Sequence, residues 1–407
     1  MRAASNRVGA AATWLISIVA VLALLAGFSS QLYEAADPKL ALTLNPANTE
    51  AAVNAIVGAL NAAETIDLDD LRSRAAALVG EARGDARGYS LLGAVIERQG
   101  NVEQAEALYE LTLEKSKSEI HALLRLASLR LERGDYVGTL DCIDLILRRW
   151  GNYAAQIEPL IVAASKDAVA APALTRKLNA MPPWRGQILS MLARNPQSLA
   201  YARDLIATAP DRVRSSPGWI GERDYMVSSL AAAKAFGEAY GLFLSTMSAA
   251  EQDLQGYVFD SRFTVSPSRN YFGWRVQKSG SPDIAVPASG GGARIRFSDS
   301  PARPGMLAQT LALPLGRYRL EAQVSASALS TPKGLYWSIR CSGQPPLAQL
   351  TVTPGSYTER TFETEFDVPA SGCDIQTLSL DTQVLTDSWR DRYSGEVLFQ
   401  RVGLTRL

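Results

Sequence analysis

Hydrophobic and polar positions follow three different periods in turn along this chain. From Ala10 to Phe28 (AAATWLISIVAVLALLAGF) nineteen residues pass without a charge, with Arg2 and Arg7 before them and Glu34 after. A helix of that length reaches roughly 28 Å, close to the hydrocarbon thickness of a bilayer. The pattern predicts a transmembrane anchor over 10–28, a cytoplasmic tail over 1–9 and a linker over 29–47, with everything beyond on the far side, because basic flanks stay in the cytoplasm. A cleaved signal peptide is the alternative; the length of the run and the lack of an A-x-A site favour the anchor. From about Asn48 to Ala250 the apolar residues take a helical period, broken at short Gly/Asp/Asn or Pro stretches. Beyond Gln255 strict alternation replaces it, and Gly, Pro, Ser and Thr rise. The expected fold is therefore multidomain, α then β: an N-terminal transmembrane helix, a helical domain over 48–250 and an antiparallel β-sandwich over 256–407.

Within the helical part the text repeats at an offset of about 34 residues. Leu92, Gly93, Gly100 and Tyr109 recur as Leu126, Ala127, Gly134 and Ile143. A small residue at Gly93 or Ala127 lets two helices approach closely, Gly100 and Gly134 supply the turn between them, and Ala105 is the small contact on the second helix. These spacings resemble the tetratricopeptide (TPR) repeat family, most clearly over 86–119 and 120–153. The resemblance implies a helical solenoid whose concave face takes a protein partner; a mere spacer is the alternative.

In the last third, Tyr318, Leu320, Ala322 and Val324 share one strand face, as do Phe362, Thr364, Phe366 and Val368. Further strands are predicted at 293–297, 307–313, 335–341, 374–380 and 395–404. The order of pieces (Phe259, Phe263, Gly273 and Trp274, then LPLGRYRLEAQV, then YSGEVLFQRVGL) resembles the galactose-binding-like jelly rolls of carbohydrate-binding modules. That resemblance implies a jelly-roll sandwich, and some modules of this kind bind glycan. Cys341 and Cys373, 32 residues apart, are expected to form a disulfide, with two buried free thiols as the alternative.

Composition narrows the chemistry. Forty-one basic residues balance forty-one acidic ones without a dense cationic tract, so no nucleic-acid footprint exists. With one histidine, His121, three cysteines and no CxxC pair, no zinc site of the usual ligands can be assembled, and no metal or cofactor is expected. His121 has no nucleophile near it in sequence, SGGGARIRF leads into a strand without a phosphate-binding Lys, and Pro332 breaks the S-x-x-K spacing of STPK. Cys142 reads as a small buried hydrophobe. The candidate ligand residues are Asp387, Trp389, Arg390, Asp391, Arg392 and Tyr393, in a loop that sets two aromatic rings among charges, as sugar recognition does. Trp389 as a plug in the sandwich end, with the charges pairing among themselves, is the competing reading.

The whole layout resembles membrane-anchored TPR proteins of alphaproteobacterial exopolysaccharide or O-antigen loci. It implies a single-pass protein of the bacterial inner membrane, mostly periplasmic, and a non-catalytic scaffold of polysaccharide assembly or export. Its partners would be the inner membrane through 10–28, a protein through the helical repeats, and polysaccharide through the sandwich. A purely protein-binding adaptor and a glycan-active enzyme are the alternatives.

Overall fold

Side-chain caps set the helix starts of the first half. Asp37, Asn48, Asp67, Asp85, Asn101 and Asp135 each turn a side-chain oxygen to a backbone N–H of the first helical turn. Each such cap stabilises its helix by about 0.5–2 kcal/mol. In this computed structural model, which describes residues 21–62, 67–267, 269–277, 282–384 and 391–407, those caps open α2 (Pro38–Leu44), α3 (Thr49–Asn61), α4 (Leu68–Glu81), α5 (Ala86–Arg98), α6 (Val102–Lys115) and α8 (Tyr136–Arg149). α7 (Ile120–Glu132), α9 (Ala154–Lys166) and α10 (Ala170–Asn179) complete the first compact unit, which ends at Trp184.

α5 packs on α6 and α7 on α8 as successive hairpins. Gly100 and Gly134 close α5 and α7 with φ of +89° and +74°, a conformation that costs a side chain and suits glycine. Gly93 lies against Tyr109 so closely that a Cβ there would meet the ring Cε1 at 2.8 Å. Ala105, Tyr109, Leu126, Ala127 and Ile143 are buried, and Leu92 is half-buried against the core of α3, α4 and α5. Cys142 is buried beside Ile143. Trp184 is buried too, its indole N–H donating to Asp144 Oδ1 at 2.8 Å.

The expected anchor is corrected. Among the described residues no helix is long and apolar enough to cross a membrane, which overturns the transmembrane helix over 10–28, the inner membrane as a partner and the single-pass inner-membrane placement. Helix α1, described over 21–33, leads into contacts with the helical unit. Ser30 Oγ donates to the carbonyl of Ala41 at 2.7 Å and accepts from Asn48 Nδ2 at 2.8 Å, and Asn54 Nδ2 reaches the carbonyl of Glu34 at 2.9 Å. Residues 29–47, read as a linker, thus hold the end of α1 and all of α2, fixed by buried polar bonds. The tail over 1–9, and 10–20 of the apolar run, lie outside the described residues.

The second compact unit, from Arg185 to Leu407, holds α11 (Arg185–Arg194), α12 (Leu199–Ala207), α13 (Asp211–Arg214), α14 (Trp219–Ala232), α15 (Phe236–Ser245), α16 (Ala249–Gln252) and, among the described residues, ten strands. The unit boundary falls inside the helical run rather than at the composition change near Gln255, and aromatic packing explains why. Tyr240 and Phe243 of α15 meet Phe272 and Phe259 at ring distances of 5.0 and 5.6 Å. Gln309 then clamps the backbone of Phe259 from both sides, at 2.9 and 2.8 Å.

The strands form two five-stranded antiparallel sheets. One has the order β1 (Arg275–Val276), β4 (Leu307–Leu311), β9 (Gln376–Asp381), β6 (Tyr336–Cys341), β7 (Pro346–Thr351); the other β2 (Asp283–Ala285), β3 (Ala293–Pro301), β10 (Arg392–Arg406), β5 (Gly316–Ser330), β8 (Gly355–Val368). Alternation buries Tyr318, Leu320, Ala322 and Val324 of β5 between the sheets, with Trp274, Trp337 and Phe399. Cys341 and Cys373 form a disulfide across this core, Cα to Cα 5.1 Å. Closing a 32-residue loop contributes about 3–4 kcal/mol on the chain-entropy account. The double substitution Cys341→Ser, Cys373→Ser should lower the unfolding free energy of the second unit by about that amount, read from denaturant titration of tryptophan fluorescence; an unchanged midpoint would contradict this.

Candidate functional site

The first helices of successive hairpins, α3, α5 and α7, line a groove of about 620 Å³ in the first unit. Helical spacing of 3 and 4 residues aligns Val53, Val57 and Leu60 along α3, Arg87, Leu91, Ala94 and Arg98 along α5, and His121 with Arg125 along α7. The α3 side is apolar, the α7 side polar, and α5 carries both.

Tyr109, pinned by Gly93, organises the polar side. Its hydroxyl donates to Glu97 Oε2 at 2.7 Å, and Arg125 Nε donates to the same oxygen at 3.1 Å while a second Arg125 nitrogen binds Glu97 Oε1. Burial pushes the Glu97 carboxyl up, but the bonds from Arg125 and Tyr109 outweigh it and hold it below its ordinary value. The Tyr109 phenol is raised by burial and by Glu97. The edge of its ring meets His121, centroids 5.9 Å apart.

His121 Nδ1 lies 3.0 Å from Ser90 Oγ, which is 3.4 Å from Glu119 Oε1. A hydroxyl has one proton to give and an ionised carboxylate can only accept, so with Glu119 ionised Ser90 donates to it and takes a bond from His121. That order runs opposite to a base-activated serine, in which the imidazole accepts the hydroxyl proton. Ser90 is also 1% exposed. Burial raises the Glu119 carboxyl and lowers the His121 imidazole. Arg87 is bound by Asp85 at 2.8 Å and Glu50 at 2.7 Å.

Of the ligand residues expected in the sandwich, Asp387, Trp389 and Arg390 lie outside the described residues. The other three are engaged within the protein. Tyr393 is fully buried in the core, its hydroxyl donating to the carbonyl of Gly334 at 2.8 Å. Arg392 binds Asp299 Oδ2 at 2.8 Å, and Asp391 stands 3.9 Å from Lys333 Nζ. Among the described residues no group of three or more His, Cys, Asp or Glu side chains could hold a metal ion.

The sequence reading missed the groove, although a signal for it exists. Val53, Arg87 and His121 stand 34 residues apart, as do Val57, Leu91 and Arg125. They are equivalent repeat positions facing out of the hairpins, and they differ in residue type, so a search for matching residues passes over them.

No protein-family model matches the chain, and no curated protein matches it. Among solved structures, the C-terminal region is similar to a chain described as "CBM4 structure and function", at 14% identity and a TM-score of 0.29, covering 38% of this chain and 99% of that one. It is also similar to TmCBM61 in complex with β-1,4-galactotriose, at 14% identity and a TM-score of 0.26, again covering 38% and 99%. A third, the enzymatically active domain of bacteriophage CBA120 tailspike protein 4, has 14% identity and a TM-score of 0.20, covering 32% of this chain and 19% of that one.

The Glu119 shift predicts a pH effect. A carboxyl raised above its ordinary 4.5 in the fold contributes stability that is complete below that value and is lost as pH rises through the folded one. Glu119→Gln, which keeps the bond from Ser90 without the charge, should therefore gain in melting temperature over the parent as pH rises from 4.5 to neutrality. A difference that is flat over this window would contradict the prediction.

Proposed function

We propose that this chain is a non-catalytic scaffold whose helical groove holds a segment of a protein partner. The observation that carries this reading is the concave groove itself, formed by repeat-equivalent positions on the first helices of three successive hairpins, with an apolar side and a polar side. Surfaces that bind protein segments combine an apolar seat with a few placed polar groups. Ser90 is a poor candidate nucleophile: it is buried within a helix and its hydroxyl donates to Glu119 Oε1 at 3.4 Å. The wider role is in polysaccharide assembly or export, with the sandwich contacting glycan. The motif resemblance of 256–407 to galactose-binding-like modules supports that part, and Asp391, Arg392 and Tyr393 add nothing to it.

Val57 is 38% exposed on the groove wall, so a photo-crosslinking residue placed there leaves the core intact. Crosslinking in the source cell should give one discrete protein adduct from position 57 and none from position 363, on the solvent side of β8; equal adducts from both would contradict the groove. The glycan part predicts saturable binding of a bacterial polysaccharide by the full chain that Trp389→Ala weakens without lowering the melting temperature. Binding by neither protein would remove that part and leave the groove standing.

A further inference from the structure

The charges lining the groove are not equally satisfied. Arg87 is held by Asp85 and Glu50, and Arg125 by Glu97. Glu97 takes bonds from Arg125 and Tyr109, and Glu119 takes one from Ser90. Arg98, in the last turn of α5, is exposed and has neither an ion pair nor a hydrogen bond among the described residues. It stands one turn beyond Ala94, the last apolar residue of α5 in the groove lining, which also includes Leu60 and Asn61 of α3. The groove thus offers an apolar seat that ends at an uncompensated cation.

Resting on the reading of this groove as a protein-binding surface, we propose that its occupant is a peptide segment carrying an apolar side chain next to a carboxylate. The apolar group sits on Val57, Leu60 and Ala94, and the carboxylate meets Arg98. A basic segment would bring a second cation against Arg98, and of the lining glutamates Glu97 is already paired with Arg125. Desolvating an apolar group in the groove supplies affinity, while the charge at its end supplies orientation and selection between partners. A guanidinium suits this task since its planar fork can bind both carboxylate oxygens.

The probes are short fluorescein-labelled peptides that share a leucine pair and differ only in flanking residues: Asp/Glu, Lys or Ser. Fluorescence polarisation is measured with the full chain, its Arg98→Glu variant and its Val57→Asp variant, both substitutions being at exposed positions and checked by circular dichroism. The expected result is acidic over lysine-flanked binding by about tenfold at low salt, shrinking as salt rises. Arg98→Glu should invert that order, and Val57→Asp should abolish binding of all three. Equal binding of acidic and lysine peptides, or an order unmoved by Arg98→Glu, would overturn the proposed occupant while leaving the groove as the site if Val57→Asp still abolishes binding. Binding untouched by Val57→Asp, or no binding of the acidic peptide, would overturn the occupant and count against the groove. A concentration-dependent dimer dispersed by Arg98→Glu would assign the groove to a second copy of the chain and overturn the proposal.

Discussion

The contact between Gly93 and Tyr109 is the constraint from which the helical unit's surface follows. A phenol ring fully buried between two helices needs a partner without a side chain, and any Cβ at position 93 would stand 2.8 Å from it. Overpacking of this kind costs about 1–3 kcal/mol. Because the ring is fixed, its hydroxyl is fixed on Glu97, Glu97 is fixed on Arg125, and the ring edge holds His121. In the next hairpin Ala127 and Ile143 take the equivalent positions, and Ile143 has no hydroxyl with which to build such a network. The groove is therefore polar on one side only, a direct result of one tyrosine against one glycine.

The second unit uses other means. The rings of α15 pack on Phe259 and Phe272 at the start of the sandwich, while α14 and α16 are tied to each other by a buried ionic group in which Arg223 binds Asp224 and Glu251 at 2.8 and 2.7 Å. Removing one partner of such a group is costly, since the other is left buried and unpaired. On the outward face of the second sheet, Arg317 and Arg319 pair with Glu365, and Arg296 with Glu396. Exposed pairs contribute little stability each, but on β8 they charge an edge strand that could otherwise pair with another chain.

Much of this was legible beforehand, for reasons that can be named. Turn glycines 100 and 134, the alternation of β5 and the two cysteines of one β domain each follow a rule that acts locally in sequence. The apolar run at 10–28 reads as an anchor on composition and length, whereas among the described residues no helix is long and apolar enough to cross a membrane. β1, β2 and β7 went unread: the first two are two and three residues long, and β7 begins at a proline and alternates weakly. Tyr393 looked like a loop residue because the predicted strand began at Gly395, whereas β10 starts at Arg392 and turns Tyr393 into the core. The groove escaped because packing positions repeat in residue type while recognition positions repeat only in place.

The central claim is that the concave face of α3, α5 and α7 is where this protein meets its partner. Hydrogen–deuterium exchange of the full chain, free and saturated with the protein crosslinked from position 57, tests it most directly. The account predicts slowed amide exchange along α3, α5 and α7, with little change in β3, β5 and β10. Slowed exchange confined to the sandwich, with the groove helices unaffected, would contradict it.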